Sequence, residues 1–195
     1  MTNTPLPKNI IHLCSGGLDS VVLMWHLRMH HNVHCLLIDY GQQHVQELEF
    51  ARLHCHRAKV LYTKIELPAM GGLTQETAWI VPNRNAVFIS IAVNYAVTAG
   101  ADTVTIGCNK GDAEGFPDCR PSFIAAMNSA VKEAGYQVEI CAPFLEETKA
   151  MIARLGQDMK VPMNETWTCY VGGQKPCGKC PACLKFNAAM AALSQ

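Results

Sequence analysis

The feature that most limits how this chain can fold is the regular exchange of short apolar runs with amphipathic stretches along residues 10–159. Residues 10–14 are an apolar run, followed by Ser15-Gly16-Gly17 and a helical pattern over 18–30. Residues 33–40 (VHCLLIDY) form a second run closed by Gly41, and 44–58 carry helical spacing through Val45, Leu48 and Ala51. Further runs at 60–67, 103–108 and 138–143 are separated by helical stretches at 85–98, 121–135 and 146–159. Pro121 suits the first turn of its helix, where its missing N–H has no partner to lose. Strands alternating with helices build parallel βαβ units. The right-handed crossover then spreads the helices over both faces of an open sheet. The expected fold is therefore α/β: an open, mainly parallel five-stranded Rossmann-like sheet with helices on both faces. Ligands of such sheets sit at the carboxyl ends of the strands, near the switch in strand order. That directs attention to the loops after Cys14, Ile38, Leu67, Gly107 and Pro143.

The first of these loops reads Ser15-Gly16-Gly17-Leu18-Asp19-Ser20, directly after Cys14. Two glycines let the backbone approach an anion, and the helix start adds free N–H groups and a positive dipole end. The serines add hydroxyl donors. A tight βα turn with Ser/Asp capping is the plainer use of such residues. The complete string in this context points to nucleotide binding instead. It resembles the PP-loop of the ATP pyrophosphatases, through Ser15, Gly16, Gly17, Asp19 and Ser20. That resemblance implies ATP as cofactor, transfer of AMP to a substrate oxygen and release of pyrophosphate, with Cys14, Leu18 and the loop around the nucleotide. A second string, Gly173 to Lys179, fits G-x-x-x-x-G-K, but Cys180 stands where Ser or Thr is needed and no strand precedes it. It is not a phosphate loop.

After Val161 the alternation stops. A Gly-, Pro- and Cys-rich stretch leads to a short terminal helix from about residue 184. We expect residues 1–160 to be a nucleotide-binding α/β domain, with 161–195 a segment packed on it. At 195 residues the chain can bury a core without disulfides, and its 49% apolar content excludes a disordered chain. Sixteen Lys and Arg balance sixteen Asp and Glu. This argues against coating a polyanion, so no direct nucleic-acid partner is expected. No apolar run approaches the roughly 18 residues of a membrane span. Residues 1–9 are polar with no signal-peptide core, so the expectation is a cytoplasmic protein with no membrane partner.

Ten cysteines in a reducing compartment call for an explanation other than disulfides. Cys14, Cys35, Cys55, Cys108, Cys119 and Cys141 are scattered and read as small buried hydrophobes. Cys169, Cys177, Cys180 and Cys183 instead form C-x7-C-x2-C-x2-C. Two overlapping C-x-x-C pairs present thiolates to one ion, and a fourth Cys closes a tetrahedron. Gly172, Gly173, Pro176, Gly178 and Pro181 allow the sharp turns. Structural Zn²⁺ is the expectation, since it would fold a tail too small for its own core. An iron–sulfur cluster is the rival for four cysteines.

Taken in order, the motifs resemble the 7-cyano-7-deazaguanine (preQ0) synthases, the QueC family of the queuosine pathway. Besides SGGLDS the match runs through Tyr40-Gly41-Gln42 with His44 and Glu47, Val81-Pro82 with Arg84-Asn85, and Gly107-Cys108-Asn109 with Asp112. It continues through Gly115 to Pro121 (GFPDCRP), Thr148-Lys149, and Thr166 to Tyr170 (TWTCY) with the cysteines. The resemblance implies ATP activation of 7-carboxy-7-deazaguanine as an acyl adenylate and displacement of AMP by ammonia. A second activation then dehydrates the amide to the nitrile. It also implies zinc on the four tail cysteines and a homodimer.

Within that frame Ser15, Asp19, Ser20, Arg84 and Lys149 are the catalytic candidates. Arg84 offers a fork for phosphate or carboxylate that Lys cannot copy. Lys149 and Lys110 are candidates to stabilise pyrophosphate, with a solvated surface role equally open for Lys110. Asp39 sits at a strand end where Ile38 and Tyr40 would frame adenine. Asn85, Asp112, Asp118 and Arg120 are the substrate candidates, the two aspartates reading a guanine-like N–H edge or holding Mg²⁺. Asn85 is equally suited to cap a helix, and Asp118 to pair with Arg120. Trp79 and Trp167 would stack on the deazapurine, although core packing is the commoner use of Trp. His26, His30 and His34 have i, i+4 spacings that suggest metal, yet ordinary polar positions at a helix end explain them better.

Some positions depart from the family pattern. Asn83 stands where glycine is usual, Gln43 where Arg is usual and Glu114 where Ser is frequent. The stretch between Leu67 and Trp79 is short, and the spacing before Cys177 is tight. The bulk of Asn83 or a changed backbone would move the substrate. A variant that stops at the 7-amido product, a PP-loop tRNA thiolase and a nucleotide-sensing zinc module are the alternatives.

Overall fold

The computed structural model describes residues 7–67 and 80–194, so Trp79 and the stretch between Leu67 and Trp79 lie outside the described residues. Five strands form one sheet: β1 (Asn9–Leu13), β2 (Asn32–Asp39), β3 (Leu61–Glu66), β4 (Thr103–Ile106) and β5 (Glu139–Cys141). Their order is β3-β2-β1-β4-β5, and every neighbouring pair is parallel. Ile10 lies opposite Val33 on one side and Thr103 on the other. The chain therefore winds outward from β1 to β3, then returns to build β4 and β5 on the opposite flank. The carboxyl ends of β1 and β4 border the switch point, where a ligand crevice opens.

Residue alternation along the strands sends side chains to opposite faces. Ile11 and Leu13 join Leu36, Ile38, Val104 and Ile106 on one face. There α3 (Arg84–Ala99) and α5 (Pro121–Glu133) cover them with Ile89, Val93, Ile124 and Val131. Ile10 faces the other way, into a core shared by α1 (Leu18–Leu27), α6 (Lys149–Asp158) and α7 (Pro181–Ala191). Beside it Cys14, Cys35 and Leu37 pack under α2 (Glu47–Ala58) against Leu48, Ala51 and Cys55. The Sγ atoms of Cys14, Cys35 and Cys55 lie within 4.8 Å of one another. All three are buried, and Cys35 and Cys55 are fully enclosed as small packing residues of this apolar core.

One polar side chain in β1 ties the first helix to the sheet. His12 is fully buried, with Nδ1 2.9 Å from Thr105 Oγ1 and Nε2 2.9 Å from the Ser20 carbonyl oxygen. A carbonyl only accepts, so Nε2–H donates to it and Nδ1 accepts the Thr105 hydroxyl. The imidazole thereby holds the first turn of α1 against β1 and β4.

The structure differs locally from the expectation at several ends. Helix α7 begins at Pro181 rather than near 184, because proline serves as a first-turn residue directly after Cys180. Helix α2 begins at Glu47 rather than 44. A short helix α4 (Lys110–Gly115) was invisible in the apolar pattern, since it carries no buried apolar side chain. Its signal was Asn109-x-x-Asp112, a reciprocal capping box in which each side chain accepts the other residue's backbone N–H.

Candidate active site

The crevice at the switch point is floored by the 15–20 loop. Ser15 Oγ and Ser20 Oγ are 3.1 Å apart, Ser20 Oγ donates to the Gly17 carbonyl at 3.1 Å, and Gly17 N–H donates to Ser15 Oγ at 3.3 Å. These bonds curl the loop over the start of α1. Gly16 has φ +89°, and a Cβ there would stand 2.0 Å from the Glu47 carbonyl oxygen. Glycine is thus required both for the turn and for the close approach of α2. A Cβ on Gly107 would stand 3.1 Å from Ser20 N, so the end of β4 also closes directly on the loop.

Asp19, in the first turn of α1, is the polar centre of one wall. Its Oδ2 accepts Lys149 Nζ at 2.7 Å and Asn109 Nδ2 at 3.0 Å, while Oδ1 is buried without a hydrogen-bond partner. Helices α1 and α6 and the β4–α4 connection meet at this one carboxylate. Asp112 lines the same wall, and burial together with the neighbouring Asp19 charge raises its carboxyl above the usual range.

The opposite wall comes from β2, the turn before α2, and the start of α3. Arg84 is the first residue of α3, and its Nη1 donates to the Tyr40 hydroxyl at 3.0 Å. Its guanidinium lies 5.6 Å from the Tyr40 ring centre and 5.8 Å from that of Phe88, and its Nε is buried without a partner. His44 approaches from the turn before α2 and Glu47 from its first residue, with His44 Nε2 3.7 Å from Glu47 Oε1. Gln42 donates Nε2 to Glu47 Oε1 at 3.0 Å and accepts Tyr40 N–H at 2.9 Å. Burial pushes Glu47 up to about 8 and, with the Arg84 charge, pushes His44 down to about 4. Both are consequently largely uncharged near neutrality.

Asn85 is buried beneath this wall. It is not the helix cap, which is Asn83. Its backbone N–H donates to Asp118 Oδ2 at 3.2 Å, and its Nδ2 to the Asp118 carbonyl at 3.2 Å. Asp118 thus engages Asn85 rather than Arg120. Arg120 is exposed, donates Nε to the Ala113 carbonyl at 3.2 Å, and is not among the residues lining the crevice. Asn83 adopts φ +58°, the left-handed region in which a glycine is at ease and which Asn tolerates well, and it is exposed. The backbone that glycine would supply is therefore kept.

The tail closes the crevice from above. Trp167 N–H donates to the Gly16 carbonyl at 2.9 Å, which fastens the tail to the loop. The Trp167 ring is buried on Phe50, with centres 5.5 Å apart, and Nε1 donates to the Cys169 carbonyl at 2.9 Å. It packs more than it stacks, although Trp167, Thr168 and Tyr170 all border the crevice. Beyond it the Sγ atoms of Cys169, Cys177, Cys180 and Cys183 lie within 4.8 Å of one another. The Cys180 and Lys179 N–H groups donate to Cys177 Sγ at 3.3 and 3.4 Å. These bonds lower the Cys177 thiol to about 6, which favours the thiolate that a metal needs. The cluster can bind a metal ion.

Of the residues singled out by sequence, Cys14, Ser15, Gly17, Leu18, Asp19, Ser20, Tyr40, Arg84, Asn85, Asp112, Asp118 and Lys149 line the one crevice. Gly16 supports it from behind. Asp39 turns from it to Lys64 Nζ at 2.9 Å, which holds its carboxyl below the usual range. Lys110 is exposed. His26 ends α1 while His34 is in β2, 2.9 Å from Thr63 Oγ1, so their spacing spans two elements and not one helix face. Sequence reasoning gave no separate role to Asn109, Gln42 or Phe88: Asn109 meets Asp19 and Phe88 meets Tyr40 across the chain, while Gln42 reaches Tyr40 and Glu47 within five positions.

Comparison with known proteins agrees with this arrangement. The profile of the family described as "Queuosine biosynthesis protein QueC" matches residues 9–79 and 74–194. The chain belongs to the QueC family. The 7-cyano-7-deazaguanine synthase of Psychromonas ingrahamii is 36% identical over 210 aligned positions, covering 96% of this chain and 95% of that one. The protein of the same name from Archaeoglobus fulgidus is 38% identical over 204 positions, covering 93% and 85%. Among solved structures, the U34-tRNA thiolase NcsA of Methanococcus maripaludis, with its 4Fe–4S cluster, superposes with a TM-score of 0.59 at 13% identity. That match covers 96% of this chain and 66% of the other. NMN synthetase of Francisella tularensis superposes equally well, at 18% identity over 90% and 72%. At such identities the likeness is one of fold alone. Among the described residues, no helix is long and apolar enough to cross a membrane.

Proposed function

We propose that this QueC family member makes 7-cyano-7-deazaguanine from 7-carboxy-7-deazaguanine and ammonia, activating the substrate twice with ATP. The supporting observation is the join of Asp19, Lys149 and Asn109 beside the SGGLDS loop, across the crevice from Arg84. In this reading the loop N–H groups and the Ser15 and Ser20 hydroxyls hold the phosphates. Lys149 neutralises charge that builds on pyrophosphate as it leaves. Arg84, with an unspent buried Nε–H, takes the substrate carboxylate or the α-phosphate. Tyr40 and Ile38 flank the adenine, and Asp112 and Asp118 read the deazaguanine edge.

The donor sets fit the implied metals. Asp19 Oδ1, buried and without a partner, would hold Mg²⁺, and the ion would supply charge neutralisation at the phosphates. The four tail thiols would hold Zn²⁺ as a structural clamp on residues 161–195, the segment that packs on the α/β domain. The family resemblance also supports a homodimer.

Asn83 is one of the substrate-side departures that would permit a variant stopping at the amide. Its left-handed backbone and exposed side chain give no steric reason for one. The test is mass spectrometry of a time course with the acid, ATP and ammonium, and a second with synthetic amide. Consumption of the amide with release of AMP, and appearance of the nitrile, is expected. Accumulation of amide that is never consumed would assign amide synthesis alone.

A further inference from the structure

We propose that Glu47 is the proton acceptor of this site, taking a proton from the ammonium ion that enters between the SGGLDS loop and Arg84. The inference rests on the proposed use of ammonia and adds the group that prepares it. Acyl adenylate and ammonium yield amide, AMP and two protons. The Glu47 carboxylate takes the first proton and leaves ammonia with its lone pair. That pair forms the C–N bond, and the acyl C–O bond breaks with its electrons going to AMP. The second proton passes from nitrogen to water, and Glu47 returns its own proton to water before the next turn.

Geometry places Glu47 for this work. Its carbonyl abuts Gly16, so the side chain is registered against the phosphate loop by backbone contact and not by a flexible arm. The side chain is 12% exposed and borders the crevice. The groups that face it are Cys14 from β1, Tyr40 from the end of β2, Gln42 and His44 from the following turn, and Arg84 from α3. Arg84 spends Nη1 on the Tyr40 hydroxyl, and His44 at 3.7 Å is held neutral, so neither locks the carboxylate in an ion pair. An acceptor whose carboxyl titrates near 8 is far better matched to a donor as weak as ammonium than an ordinary carboxylate is. A purely structural role would need only an oxygen to accept the Gln42 amide, and a glutamine there would serve equally.

Glu47→Gln keeps that acceptor oxygen and removes the base, so the experiment separates the two half-reactions in the full chain. Pyrophosphate release from ATP and the acid, without ammonium, reads adenylation. Amide formation at a fixed concentration of ammonium ion across pH reads the second step. We expect E47Q to adenylate within about threefold of the unaltered chain and to form amide about 10²-fold more slowly. At fixed ammonium ion the unaltered chain's amidation should rise and level off through a midpoint near pH 8, and E47Q should lack that midpoint. Amidation by E47Q within threefold, with the same midpoint, would overturn the proposal. So would parallel loss of both half-reactions, which would assign Glu47 to structure. If the unaltered chain releases no pyrophosphate with the acid, the reading of the substrate fails first and the proposal falls with it.

Discussion

Lys149 Nζ stands 2.7 Å from Asp19 Oδ2, joining the first residue of α6 to the first turn of α1 across the carboxyl edge of the sheet. The two residues are 130 positions apart, and their side chains are only 18% and 13% exposed. A lysine so held is already beside the loop where phosphate charge would gather, and it needs little reorganisation to act there.

Removing either member should separate folding from chemistry. Lys149→Ala is expected to lower pyrophosphate release by at least about 10²-fold, the scale of losing one aligned charge-stabilising donor. Asp19→Ala should match it in ATP binding. Each should cost only about 1–3 kcal/mol in urea unfolding, the range for losing a hydrogen bond to a charged group. Calorimetric ATP binding alongside denaturation checks both halves; full activity in K149A would remove Lys149 from the site.

Gly16→Ala should fail in a way that Gly100→Ala does not. Both glycines have positive φ, +89° and +66°. A Cβ at Gly100 meets nothing within 4 Å, whereas at Gly16 it meets the Glu47 carbonyl, which is backbone and cannot swing aside. G100A is expected to cost about 1–2 kcal/mol for the left-handed conformation alone. G16A should cost more and abolish ATP binding, because α2 must move away from the loop. Equal losses of stability in the two variants would show that the contact is unimportant.

The cysteine cluster should hold one zinc ion per chain. Elemental analysis of aerobically purified protein is the measurement, and iron with sulfide would overturn the assignment. Chelation or Cys180→Ser should loosen the tail. Because Trp167 N–H bonds the Gly16 carbonyl, ATP affinity should fall with metal loss even though no thiolate of the cluster is proposed to touch the nucleotide.

Stability should depend on pH through the His44–Glu47 pair. Glu47 titrates near 8 when folded against 4.5 ordinarily, so its contribution is complete below 4.5 and lost as pH rises toward 8. His44 titrates near 4 against 6.5, so its contribution is complete above 6.5 and lost as pH falls toward 4. Between pH 4.5 and 6.5 the two oppose each other. From 6.5 to 8 only the Glu47 loss remains, at most about 1.4 kcal/mol per pH unit. Urea unfolding at pH 6.5 and 8 should show the stability of the unaltered chain falling relative to that of E47Q over this range.

Much of the molecule was legible because its signals are local. The five strands followed from apolar runs of strand length, and their parallel order from the helices between them. The SGGLDS loop and the four tail cysteines are contiguous or nearly so, and their chemistry lies in their spacing. Helix α4 left no such signal, since a helix with no buried apolar side chain has no apolar period, and only the Asn109–Asp112 box marked it.

The sequence by itself determined the α/β class, the SGGLDS turn after β1 and the clustering of the four tail thiols, because residues within a few positions carry each of these. Tertiary structure decided which distant residues share the crevice. Asn109 and Lys149 reach Asp19 only because β4 lies beside β1 and α6 packs on α1. Arg120 and Asp118, two positions apart, were equivalent candidates until the turn before α5 left one exposed and set the other against Asn85. Whether Asn83 disturbs the wall depended on one backbone angle, φ +58°, imposed by the entry into α3. Glu47 became a candidate base through burial against Gly16 and the diversion of Arg84 to Tyr40, since a carboxyl's proton affinity is set by its surroundings and not by its place in the chain.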